Sequence, residues 1–167
     1  MEEVLKPTCL EEACNFVSEL GNAVFVAGAT EEKQSEEIEY FIDLTVLKDL
    51  SYIKWNGTNQ LKIGALTSME VLAQNDVVKE WFPGFQKICE IFGNDHEKKR
   101  GTLGGKIAAR VPQIMDELQK LNVKIHIQGA DHGYNASLQE FLEEQGHGIL
   151  DPDEIITEIV FLVNKEC

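Results

Sequence analysis

The chain has 167 residues, enough for one ordinary domain or two small lobes packed together. Apolar residues make up 43% and charged residues 26%, the balance of a globular protein that builds its own core. Fifteen basic against 29 acidic residues leave a formal net charge of −14, which repels nucleic-acid phosphates and anionic lipid surfaces, so any bound anion needs a local basic patch.

The first helix is marked by Thr8 and Glu11 as a capping box, by Leu10, Ala13, Cys14, Val17 and Leu20 on one face, and by Gly21 as its stop. Ala23 to Ala27 has the length and content of a buried strand. An acidic stretch from Glu31 to Glu39 leads to a second such run, Tyr40 to Leu44. Strand, crossover and strand predict a small parallel βαβ unit. Leu50 to Trp55 and Gln60 to Gly64 flank Asn56-Gly57, a hairpin signal. Thr67 and Glu70 predict a second capping box for a helix through Ala73, and Pro83 opens another that runs to Phe92. Beyond a polar glycine-rich segment, Ile114, Met115, Leu118 and Leu121 share a helical face. Val123 to Ile127 alternates like a strand, Leu138 to Leu142 reads as helix, and Ile155 to Val163 as a final strand. The fold class is α/β (α+β). One domain over residues 1–167 is expected, with a small βαβ lobe at 1–54 and a larger mixed sheet-and-helix lobe at 55–167.

No apolar run approaches the ~20 residues that span a bilayer. The first residues carry acids where a leader peptide carries a basic region and an apolar core. Cys9, Cys14, Cys89 and Cys167 show neither Cys-x-x-Cys spacing nor a histidine pattern, as expected of reduced thiols in a cytoplasmic protein.

Chemistry concentrates in one segment, residues 97–110. It holds five of the fifteen basic residues (Lys98, Lys99, Arg100, Lys106, Arg110) around Gly101, Gly104 and Gly105. Glycines allow close backbone approach, and free N–H groups in such a loop cradle phosphate oxygens. A helix is expected to begin just afterwards and to add its positive end. The segment is no Walker loop, because Ile107 follows Gly105-Lys106 where Ser or Thr is required. A solvated basic loop is the competing reading. A second candidate is Val26-Ala27-Gly28-Ala29-Thr30, a turn directly after a buried strand, where parallel units place their ligands. His96, His126, His132 and His147 are scattered without metal spacing. His126 is expected on the polar face of its strand and the others exposed in loops. Trp55 and Trp81 are expected in the core.

These stretches together resemble the FAD-binding domain of the molybdenum hydroxylase flavoproteins, as in carbon monoxide and xanthine dehydrogenases. Val26 to Thr30 is similar to that family's first phosphate loop, Ala-Gly-Gly-Thr-Asp. Phe41-Ile42-Asp43-Leu44 with Leu50-Ser51-Tyr52-Ile53 resembles its "iDi…pEL..I" stretch, and Leu61 to Thr67 its "l.IGA.Tt" signature. Arg100 to Lys106 is similar to its second phosphate loop, Arg-Asn-x-Gly-Thr-Ile-Gly-Gly-Asn. Asp153 to Ile159 resembles its closing "GEiitei". The resemblance implies FAD between two lobes, with Ala27, Gly28, Ala29, Thr30, Thr102, Gly104, Gly105 and Lys106 as cofactor-binding residues. It implies iron–sulfur and molybdenum-binding subunits as partners and electron transfer to an acceptor, while the acidic charge balance argues against a nucleic-acid or membrane partner. Ala29 stands where that family has its second glycine, and Lys106 where it has asparagine. These departures keep a second reading open, a flavin-free homologue with a structural or docking role.

Overall fold

The apolar runs of the first 43 residues build a small parallel sheet. In the computed structural model, which describes residues 3–26, 39–94, 101–108, 110–143 and 154–163, β1 (Glu3–Leu5), β2 (Ala23–Val26) and β3 (Tyr40–Asp43) lie in the order β1-β3-β2. Val4 and Val24 both stand opposite Phe41, and both pairings are parallel. Parallel neighbours cannot be joined by a tight turn, and α1 (Leu10–Leu20) makes the crossover from β1 to β2. β1 adds a strand to the predicted unit; three residues are too few for any alternation to register.

Ala13, Cys14 and Val17 of the predicted α1 stripe are buried, whereas Leu20, in the last turn, is exposed. Gly21 closes the helix at φ +76°, donating its N–H to the Val17 carbonyl. The predicted capping box is displaced by one residue. Cys9 is the N-cap, so Glu12 rather than Glu11 occupies the third helical position. The Thr8 hydroxyl donates to its Oε2 at 2.5 Å.

Two short 3-10 turns, Leu44–Val46 and Lys48–Leu50, follow β3, so the predicted strand from Leu50 contracts to β4 (Ile53–Trp55). β4 pairs with β5 (Gln60–Gly64) in the predicted hairpin. Asn56 Oδ1 accepts the N–H groups of Thr58, Asn59 and Gln60, and Gly57 takes φ +89°. Three helices follow, α2 (Met69–Ala73), α3 (Asp76–Trp81) and α4 (Pro83–Asn94). Pro83 opens α4, where a missing N–H costs nothing. Ser68, not Thr67, caps α2 by accepting the Val71 N–H at 3.1 Å. α3, which hydrophobic spacing did not reveal, is capped by Asn75 Oδ1.

α5 (Leu103–Ala108) and α6 (Pro112–Leu118) lead to β6 (Asn122–Gln128), β7 (Gly133–Ser137), α7 (Leu138–Glu143) and β8 (Ile155–Leu162). The second sheet has the order β4-β5-β8-β6-β7 and is antiparallel throughout. The last strand is thus its centre. Buried Phe161 of β8 meets Phe82 and Phe85 with ring centroids 5.2 and 5.0 Å apart, which fixes the helical layer on this sheet. Ala130 and Ile155 pack into the small sheet's core with Ala13, Cys14 and Ile42, closing the seam between the two sheets. The architecture is the predicted mixed α/β one. Among the described residues no helix is long and apolar enough to cross a membrane.

Candidate functional site

The three parallel strands end on the same side. β2 finishes at Val26, opposite Asp43, the last residue of β3. Ligands of parallel α/β units settle at such carboxyl edges. The next residues of the chain, Ala27, Gly28, Ala29 and Thr30, form the first predicted loop and lie outside the described residues.

A cleft of about 480 Å³ opens next to this edge, within the ~300–1,000 Å³ typical of small-molecule sites. The segment following β3 contributes Thr45, Leu47, Lys48 and Ser51. The segments entering α2 and α5 contribute Leu66, Ser68 and Thr102. Among the described residues no acidic side chain lines it, although the chain as a whole is strongly acidic. Leucines supply apolar wall, hydroxyls supply donors, and one lysine supplies charge.

Thr102 is the sequence-predicted residue that reaches the cleft. It is bridged to Ser68, while Met69 N–H donates to the Gly101 carbonyl and Leu103 N–H to that of Thr67. Gly104 and Gly105 lie behind it in the first turn of α5. Their expected free N–H groups are instead engaged: Gly104 donates to the Ala65 carbonyl at 2.8 Å and Gly105 to Thr102 Oγ1 at 3.1 Å. The reason is that the helix starts at Leu103, inside the predicted loop, and the chain leaving β5 seals its first turn. Close approach still explains the glycine. A Cβ on Gly104 would stand 2.6 Å from Ala65 Cβ, so α5 touches the backbone of the "IGA" stretch directly. Thr102 and Ser68 each accept a backbone N–H, which leaves each O–H as a donor.

Lys106 and Arg110, predicted beside an anion, point elsewhere. Lys106 is only 1% exposed, with its ammonium 5.2 Å from the Phe92 ring centroid. Arg110 Nη2 donates to the Phe141 carbonyl at 2.9 Å. Lys98, Lys99 and Arg100 lie outside the described residues.

Thr67 explains the signature it closes. Its hydroxyl donates to the Tyr52 carbonyl at 3.0 Å and accepts the Tyr52 N–H at 3.1 Å, tying the two cleft-lining segments together. The Tyr52 hydroxyl donates to Glu158, and burial together with that carboxylate pushes its pKa well above the usual phenol value. Thr67→Val keeps the shape but leaves the part-buried Tyr52 N–H without its acceptor, while the Tyr52 carbonyl keeps only the Gly64 N–H. It is expected to lower unfolding free energy by about 2 kcal/mol in a urea titration. An unchanged midpoint would contradict this role.

Elsewhere, His126 Nδ1 meets Asn135 Oδ1 across the strands at 2.9 Å on the exposed face, as expected. His132 is exposed in a loop, as expected, and is bracketed there by Asp131 and buried Glu154. Trp81, expected in the core, is 42% exposed and lies against Trp55 at 5.3 Å. It ends its helix, and no described element covers it fully.

The family described as the FAD binding domain in molybdopterin dehydrogenase matches residues 1–161. The chain belongs to this family. The glyceraldehyde dehydrogenase medium chain of Sulfolobus acidocaldarius is 27% identical over 123 residues, covering 72% of this chain and 43% of that one. A solved carbon monoxide dehydrogenase from Hydrogenophaga pseudoflava superposes with a TM-score of 0.87 at 21% identity. Quinoline 2-oxidoreductase from Pseudomonas putida 86 superposes with 0.84 at 17%. Both likenesses cover 98% of this chain and 60% of the other, so the chain spans well under two thirds of these relatives.

The family's cofactor is FAD. The described lining suits it on its own chemistry: hydroxyl and ammonium donors for phosphate oxygens and apolar wall for a ring.

Proposed function

We propose that this chain carries FAD in the inter-sheet cleft and passes electrons between iron–sulfur centres and an acceptor within a multi-subunit molybdenum hydroxylase. In this reading the whole chain is one FAD-binding-type domain, small βαβ lobe at 1–54 and mixed lobe at 55–167. One observation carries the reading: Thr102, from the family's second phosphate loop, lines a cleft at the carboxyl edge of the parallel sheet. When bound, the flavin supplies the redox chemistry. The chain's own residues bind and orient it. Thr102 donates its hydroxyl, Gly104 lets α5 seat against Ala65, Gly105 leaves room for the Thr102 hydroxyl, Lys106 anchors the same helix from within, and Ala27, Gly28, Ala29 and Thr30 are the further residues assigned to cofactor binding. A cytoplasmic location accords with the reduced thiols of Cys9 and Cys89.

The sealed first turn of α5 favours a second reading, a flavin-free homologue that docks partner subunits. Gel filtration of the purified chain after mixing with FAD separates the two. Co-elution of flavin absorbance with the protein is expected. A colourless protein that also takes up no FAD by calorimetry overturns the flavin reading, and assembly with partner subunits in that state establishes the docking one.

A further inference from the structure

We propose that Lys48 is the cation that this cleft presents to the phosphate groups of a dinucleotide, an inference that rests on the FAD reading above. Its position carries the argument. Lys48 opens the second 3-10 turn, beside buried Leu47, and lines the same cleft as Ser68 and Thr102. It is the cationic residue among the described residues that line the cleft.

A pyrophosphate brings two negative charges to a chain of net charge −14. Approach is unfavourable unless a cation stands where the phosphates come to rest. The basic residues gathered around the glycine segment do not meet this need among the described residues. Lys106 is buried against Phe92 and Arg110 is committed to Phe141. Lys48 differs from both. It is exposed, and no described hydrogen bond or ion pair holds its ammonium. The flanking hydroxyls of Ser68 and Thr102 complete a phosphate-binding set, because each retains an O–H to donate. The site thus binds phosphate by side chains, which accounts for how α5 can have its glycine N–H groups sealed and still border an anion.

The test titrates the full chain with FAD by calorimetry, with riboflavin alongside as the same ring without phosphates. Lys48→Ala is expected to weaken FAD about tenfold, and Lys48→Arg to stay within about threefold of wild type. Between about 50 and 200 mM salt, FAD affinity of Lys48→Ala is expected to fall less steeply than that of wild type, as one fewer phosphate contact requires. Riboflavin affinity and thermal midpoint are expected to stay unchanged, since the side chain is exposed and no described hydrogen bond or ion pair holds it. If Lys48→Ala binds FAD like wild type, or loses riboflavin in proportion, the assignment of Lys48 falls while FAD binding stands. If wild type takes up no FAD, the assignment and the proposed function fall together.

Discussion

Gly64→Ala is expected to destabilise the protein by about 3 kcal/mol and to disturb the cleft in the same stroke. The added Cβ would stand 2.2 Å from the Leu50 carbonyl oxygen and 2.7 Å from its carbon, backbone atoms that cannot rotate aside. Nor can the strand retreat. Gly64 N–H donates to the Tyr52 carbonyl and Leu66 N–H to that same Leu50 oxygen, both at 2.9 Å. On its other side the chain at Ala65 touches Gly104, so Gly104→Val is expected to act in the same direction by lifting α5. Leu66, Ser68 and Thr102 all hang from this sandwich, and each lines the cleft. Loss of stability in urea and loss of FAD uptake should therefore travel together in both variants. Wild-type urea midpoints in either one would show that the close contact is not needed.

The "IGA" signature was visible in sequence because these contacts leave no choice of residue. Elements governed by simple periodicity were equally legible. The α1 stripe, the Asn56-Gly57 hairpin and the apolar β8 follow from side-chain spacing and turn chemistry alone. Caps were misplaced by one residue at both α1 and α2: Thr8 is a better capping type than Cys9 but spends its hydroxyl on Glu12, and Thr67 is as competent by type as Ser68. Only the fold decides, and Thr67 is claimed by Tyr52. β7 escaped because Gly133-Tyr134-Asn135-Ala136-Ser137 buries a single alanine at an edge of the sheet.

The site was legible as a motif and not as a geometry. Glycine and lysine side by side at residues 104–106 read as an open basic loop, yet the segment folds into a helix whose lysine turns inward. Lys48 carried no signal at all. It sits in an ordinary Leu-Lys-Asp stretch, and only the meeting of two sheets places it in a cleft. The Asp131-His132 pair did carry one, an acid adjacent to a histidine, but its decisive partner is Glu154, 22 residues further on.

That pairing yields a pH dependence with a definite sign. His132 Nδ1 lies 2.8 Å from Asp131 Oδ1 and its Nε2 2.5 Å from Glu154 Oε2, and the ring stacks on Tyr134, whose hydroxyl also donates to Glu154. Asp131 first, and Glu154 with it, hold the imidazolium and push its pKa up to about 9, while the Asp131 carboxyl is drawn below its usual value. The folded protein therefore keeps a proton that the unfolded chain releases near pH ~6.5. Its contribution is complete below that pH, declines as pH rises, and is gone once the folded group titrates near 9. The carboxylate at stake is buried, 3% exposed against 41% for the histidine, and sits one residue before Ile155 at the seam between the two sheets. His132→Ala removes the cationic partner of Glu154 and leaves it the Tyr134 hydroxyl, and a fall in thermal midpoint of roughly 5 °C is expected at neutral pH. Melting followed from pH 6 to 10 should show the wild-type advantage over His132→Ala shrinking steadily across the upper range. An advantage that stayed constant with pH would assign the loss to packing on Tyr134 instead of to the charged pair.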